Sequence, residues 1–189
     1  MPLVPFAMAG VLTPALLGVG MLGLATPKFS LGVSIGVAQW LKAVTVTTSD
    51  AGSLGVGSGQ LPLIVPQPLL LANILTSMAS LGLAGVMMPL KSLGLSTGLS
   101  GGLALGLIKT THPTVGVGVG ISKFSPTPAA PFIIAGLAQA GLVGPSVVRI
   151  ATAIGMGLNK TFLVLVLPIP IVGAASPVGG AGVGFGAVI

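Results

Sequence analysis

The sequence predicts an α+β fold of three internal repeats, each an apolar helical pair followed by a glycine-rich extended strand, in a pseudo-three-fold arrangement. Three recurrences predict it. A Gly-Val-Gly-x-Gly pentapeptide occurs at Gly55, Gly57 and Gly59, again at Gly116, Gly118 and Gly120, and again at Gly182, Gly184 and Gly186. A Pro-[Phe/Leu]-x-x-Ala pattern begins at Pro5, Pro68 and Pro131, 63 residues apart at both steps. Between the two lies a helix-like segment with small residues four apart: Gly32 and Gly36, Gly94 and Gly98, Ala151 and Gly155. Three signatures that keep one order through the chain define a supersecondary unit copied three times, over 5–67, 68–130 and 131–189, in one compact domain.

Each unit opens on a proline-initiated apolar segment. Pro5 suits a helix start because the first helical N–H groups have no intrahelical acceptor. Pro14 and the glycines at 18, 20 and 23 argue against a single long helix beyond it. From 28 to 42, Phe29, Val33, Val37, Trp40 and Leu41 recur at helical spacing, with Gly32 and Gly36 on another face, where two backbones can come close. Val44, Thr45, Val46 and Thr47 then alternate as in a half-buried strand, and Ser49 to Gly52 turn into the first pentapeptide.

Unit two repeats the order, with Pro89 and Lys91 opening its second helix as Pro27 and Lys28 do in unit one. The run through Gly94, Gly98 and Gly102 extends toward Lys109. Val115, Val117, Val119 and Ile121 alternate with Gly116, Gly118 and Gly120, a strand with one bare face that another backbone could approach. In unit three, Pro145 and Arg149 open the helix and Asn159 stands near its end. The stretch 163–167, followed by Pro168 and Pro170, reads as an edge strand or extended arm.

Composition restricts what such a unit can do. Of 189 residues, 53% are hydrophobic and 4% charged, with 31 glycines, 16 prolines and a mean hydropathy of +1.14, where a soluble domain carries about 25% charge. An apolar exterior of that kind is stable only when covered by companions or lipid. Asp50 is the sole acid, His112 the sole histidine, and cysteine is absent. General acid–base catalysis needs two groups of opposed pKa, and a metal site needs three or four ligands, so no catalytic, cofactor or metal site is expected. Asp50 and His112 precede the first two pentapeptides and read as turn residues.

The net charge of +6 comes from seven singly spaced cations, with Trp40 and six phenylalanines as the whole aromatic complement. That is too sparse for base stacking, and no specific nucleic-acid recognition is expected. Residues 1–27 carry no charge and lack the basic start of a secretory signal, so they read as mature sequence. The run 51–90 is also uncharged, but Pro62, Pro66, Pro68, Gly82, Gly85 and Pro89 interrupt it and aromatic belts are missing. An integral pore or holin-like protein is therefore the alternative reading rather than the first.

The succession of Pro-Phe…Ala, a helix leading to Val-Thr-Val-Thr-Thr, and Gly-Val-Gly-x-Gly resembles small hydrophobic virion proteins of contractile-tailed phages. So do Thr111-His112-Pro113-Thr114-Val115-Gly116 and Gly141-Leu142-Val143-Gly144-Pro145. The resemblance implies a virion protein at the tail tip, a distal plug that contacts the baseplate hub or spike, or the tail tube, and acts on host membrane lipid. It implies no catalytic residue. Phage hubs are three-fold, and three similar units in one chain can present matching geometry to such a ring.

Overall fold

The computed structural model describes residues 5–43, 67–105 and 128–162 with their side chains, and residues 45–51, 56–60, 66, 107–111, 116–125, 163–164, 169–175 and 181–187 by backbone course. Six helices carry the packed structure: α1 (Pro5–Gly18), α2 (Ala25–Ala43), α3 (Pro66–Ser80), α4 (Met88–Ala104), α5 (Ala130–Gln139) and α6 (Pro145–Val164). Among the residues described with side chains, 81% are helical and none is in a strand. For these residues the expected α+β class is corrected to an all-helical fold. The physical reason lies in the helical faces: they carry the fully buried Leu, Ile and Met side chains described, each of which contributes about 1.5–3 kcal/mol. Among the residues described with side chains, the buried hydrophobic ones, from Met8 to Phe162, belong to the helices and their flanks.

Outside the helical core, the backbone of the remaining stretches runs as antiparallel strands β1 (Thr45–Ala51), β2 (Val56–Gln60), β3 (Leu107–Thr111), β4 (Gly116–Ser125), β5 (Ile169–Ala175) and β6 (Ala181–Ala187). They follow one another in sequence order, and β6 returns to β1. Each unit thus ends in two extended segments where one was expected. Of the stretch 163–167, Leu163 and Val164 are corrected to the end of α6, and 165–167 lie outside the described residues.

The helices form a closed ring. Each packs on its neighbours in sequence, and α6 returns to pack on α1. Alternation of direction puts the three tight α1–α2, α3–α4 and α5–α6 loops at one end. Those loops are copies of one another, bond for bond. Gly20, Gly82 and Gly141 have φ of 85°, 73° and 79°, the left-handed conformation that only glycine adopts without strain. Their N–H groups donate to Leu17, Ala79 and Ala138 carbonyls at 3.0, 3.0 and 2.9 Å, and the next N–H groups, of Met21, Leu83 and Leu142, donate to Leu16, Met78 and Leu137 at 3.1, 2.9 and 2.9 Å. This is the Schellman arrangement, which satisfies the last carbonyls of a helix. Gly23, Gly85 and Gly144 follow, and their carbonyls accept from Thr26, Met88 and Val147 at 3.2, 3.0 and 3.1 Å to begin the next helix.

The loops set the true register of the repeat. Gly20, Gly82 and Gly141 are 62 and 59 residues apart, not 63 and 63, so Pro131 sits five residues, nearly one and a half helical turns, from the place equivalent to Pro5. In this register Gly32 matches Gly94 and Ala153, and Gly36 matches Gly98 and Gly157. A methyl added at Gly36 would lie 2.7 Å from Ile74 Cγ1 and 2.9 Å from its Cα. One at Gly98 would run into the backbone of Ile133 and the Phe132 carbonyl, and one at Gly157 would lie 2.6 Å from Leu12 Cδ2 but 3.4 Å from its Cα. Ile74, Ile133 and Leu12 are themselves equivalent. The small-residue face of each unit's second helix therefore packs on the first helix of the next unit, and the third copy closes the ring.

Pro14 lies inside α1, which runs on to Gly18 and ends there, at the first of the glycines expected to interrupt a single long helix. The residue four before Pro14, whose carbonyl a proline ring crowds, is the exposed Gly10, and a methyl built there meets nothing within 4 Å.

Substitution of the seam glycines by alanine is expected to destabilise in the order Gly98, Gly36, Gly157. Gly98→Ala should cost about 2–3 kcal/mol, whereas Gly10→Ala should be neutral or stabilising by up to about 1 kcal/mol. Denaturant unfolding followed by helical circular dichroism measures the series.

Candidate functional site

The axis of the ring is filled. Val33, Leu95 and Ile154 are equivalent, as are Val37, Leu99 and Leu158, and Leu41, Leu103 and Phe162, and all nine are buried in one core cluster. They recur at i, i+4 and i+8 along α2, α4 and α6, which places one residue per helix in each of three successive layers. One layer nearer the tight loops stand Phe29, Lys91 and Ile150. These three, together with Met21, Leu95, Leu137, Leu142, Val147 and Ile154, line an apolar cavity of about 90 Å³. It lies at the loop end, and side chains from all three units contribute to it. A second cavity, of about 130 Å³, opens beside it between Val19, Gly20 and Met21 and the start of α6 at Ser146, Arg149 and Ile150.

Polar side chains inside the ring are answered locally. Ser34 donates to the Ser30 carbonyl at 2.7 Å, Thr161 to Gly157 at 2.8 Å, Ser96 to Leu93 at 2.9 Å and Ser100 to Thr97 at 3.1 Å. Each hydroxyl bonds the preceding turn of its own helix, so burial asks for no partner across the seam. Further bonds do cross between helices: Thr13 with Ser30, and Gln67 Nε2 to Ser96 Oγ at 3.1 Å and to Thr97 Oγ1 at 3.4 Å. Ser92 Oγ, Asn159 Oδ1 and Trp40 Nε1 are buried without a hydrogen-bond partner.

The loop end is the chemically distinctive part of the helical ring. Leu24 is 93% exposed, Val86 92%, Leu22 79% and Val143 77%. Leu22 and Val143 are equivalent, as are Leu24 and Val86, so apolar side chains stand on all three loops. About one turn behind them are Lys28, Lys91 and Arg149, all exposed. Lys28 and Arg149 are equivalent, and Lys91 follows the third equivalent position, Leu90, by one residue.

The sequence-derived packing residues divide three ways. Gly32, Gly36, Gly94 and Gly98 lie at the seams between units as the spacing suggested. Ala151 and Gly155 are buried in α6, but a methyl on Gly155 would meet Ala130 N at 2.5 Å, within the same unit. The role at the closing seam belongs instead to Ala153 and Gly157. Of the pentapeptide glycines, Gly55 lies outside the described residues, Gly57 and Gly59 are on β2, Gly116, Gly118 and Gly120 on β4, and Gly182, Gly184 and Gly186 on β6. Those three strands do not pair with one another: β2 runs between β1 and β3, β4 between β3 and β5, and β6 between β5 and β1.

Asp50 is on β1, and His112 lies outside the described residues. Among the described residues no group of three or more His, Cys, Asp or Glu could hold a metal ion. No helix described is long and apolar enough to cross a membrane. The exposed loop residues escaped the sequence reading, although a signal for them exists: Gly-x-x-Gly occurs at Gly20 and Gly23, Gly82 and Gly85, and Gly141 and Gly144, each time between two helical segments.

The chain matches no protein-family profile, no curated protein and no solved structure.

Leu99→Ala, in the middle layer of the axis, is expected to cost about 2–5 kcal/mol, because the six helices around it cannot all move inward to refill the space. Thermal and denaturant unfolding measure it.

Proposed function

We propose that the chain is a non-enzymatic structural protein of a phage tail tip, a plug that closes the distal end of the tube against the baseplate hub. The observation that carries the reading is the closed pseudo-three-fold ring with a filled axis. One chain of this shape offers three near-identical faces to a three-fold ring of partners, and the packed layers leave no passage along its centre. The same packing argues against a pore through the helical ring, since a conducting path there would have to displace all three layers.

The exterior supports an assembly role. Phe6, Leu69, Leu93, Val148 and Met156 are exposed on the helices. A groove of about 490 Å³ runs along the closing seam beside Gly10, Pro14, Met156 and Lys160. Exposed apolar area of this kind gains about 25 cal/mol per Å² when covered, before association costs are met. Release on contraction would expose it to the host membrane.

The expected outcome is one copy of the chain on each three-fold tail axis, co-purifying with the hub. Reconstruction of particles without imposed symmetry, together with quantitative mass spectrometry of purified tails, measures both. Three or more copies per axis, or absence of the chain from particles, would overturn the proposal.

A further inference from the structure

From the loop end of the ring we infer a docking surface for an anionic lipid bilayer, made of the three apolar loop tips and the three cations behind them. The inference rests on the plug reading only for its biological setting. The surface itself follows from the side chains.

Five features select a bilayer. The exposed Leu22, Leu24, Val86 and Val143 project from convex loop tips, which suits insertion into a fluid layer better than capture in a protein pocket. Leu24 and Lys28 are one helical turn apart, as are Pro145 and Arg149, a rise of about 5–6 Å. Apolar groups that enter the acyl boundary by about 5–10 Å would therefore leave the cations level with the headgroups.

The loop backbone can also tolerate dehydration. The glycine N–H groups, the N–H groups after them and the carbonyls of Gly23, Gly85 and Gly144 are already bonded within each loop, so less polar backbone has to be stripped of water. Charge complementarity is one-sided, because the chain holds seven basic residues and a single acid, Asp50, which is on β1 and not in the loops. Three tips related by a pseudo-three-fold axis define a plane, so all of them can touch a flat surface together.

Flotation of the full-length chain with vesicles of phosphatidylcholine and phosphatidylglycerol tests this, with pure phosphatidylcholine vesicles as the neutral arm. Binding is expected to the anionic vesicles and to be much weaker to the neutral ones. Lys28→Gln, Lys91→Gln and Arg149→Gln together should weaken it roughly a hundredfold, about fivefold for each charge. Leu24→Ser, Val86→Ser and Val143→Ser together should weaken it by at least about tenfold. Met156→Ser, on the outer face of α6, should leave it within about twofold of the parent. Helical circular dichroism of each variant confirms that the ring is intact.

Retained binding in either triple variant, or an equal loss in Met156→Ser, would overturn the lipid surface. Copy number in the particle is a separate measurement, so failure here leaves the plug reading standing, and failure there leaves the lipid surface standing.

Discussion

How near two helix backbones can come at the boundary between units controls the rest of the structure. At Gly36 and Gly98 the next helix sits where a side chain would otherwise be, and Gly136 of α5 returns the approach from its own side, facing Gly94 and Gly98 of α4. Such proximity brings α2, α4 and α6 inward enough for one aliphatic residue from each to fill a layer on the axis. If the seams were wider by one methyl group, the layers would need larger residues or would leave a channel. The closing seam is the looser of the three at the backbone, since Gly157 meets chiefly the end of the Leu12 side chain. Some slack where the last helix must return to the first is reasonable, because that contact joins the ends of the helical chain and carries the largest loop-closure cost.

Much of this order was legible in the sequence, and the parts that were not have physical causes. The helix over 28–42 follows from the spacing of small and apolar residues, and the structure gives Ala25–Ala43, whereas the period read as 63 and 63 is 62 and 59 at the loop glycines. Fold class failed because glycine-rich alternation weighed as heavily as helical periodicity, although among the described side chains it is the helical faces that build the core. The third pair was misassigned because Ala151 and Gly155 stand four apart just as Ala153 and Gly157 do, and the proline pattern, displaced in the third unit, could not choose between them. Proline marks where a helix can begin, and a helix can begin a turn earlier or later without disturbing its packing. The left-handed glycine of a Schellman loop has no such freedom: moving it by one residue turns the following helix through about 100°. Loop glycines are therefore the better ruler, and with Gly20, Gly82 and Gly141 aligned, Ala153 and Gly157 fall into place. Leu163 and Val164 misled for a related reason, since aliphatic residues before a proline serve a strand or a buried helix end equally well.

The loop end carries the most exposed apolar side chains of the helical ring, with cations close behind them. Along the axis, polar groups are turned back onto their own helices and the packed residues are aliphatic or aromatic. At the loops, leucine and valine stand in solvent with cations one turn behind. Exposed apolar groups on a single unit would be unremarkable. Repetition on three units, in loops whose hydrogen bonds match one for one, makes a surface, and its chemistry suits a boundary between water and hydrocarbon.

Fusing the three units into one chain permits what three identical subunits could not. In the layer that lines the cavity, the equivalent positions hold Phe29, Lys91 and Ile150. A homotrimer would place three phenylalanines there, or three lysines around one axis. Three ammonium groups so close would repel one another at the mouth of an apolar cavity, where screening is weaker than in water. One lysine can run its methylene stem along the cavity wall and keep its charge in solvent, while phenylalanine and isoleucine take up the remaining volume. The outer layer can then be specialised for the surface it meets, while the deeper layers remain nearly symmetric and keep the ring closed.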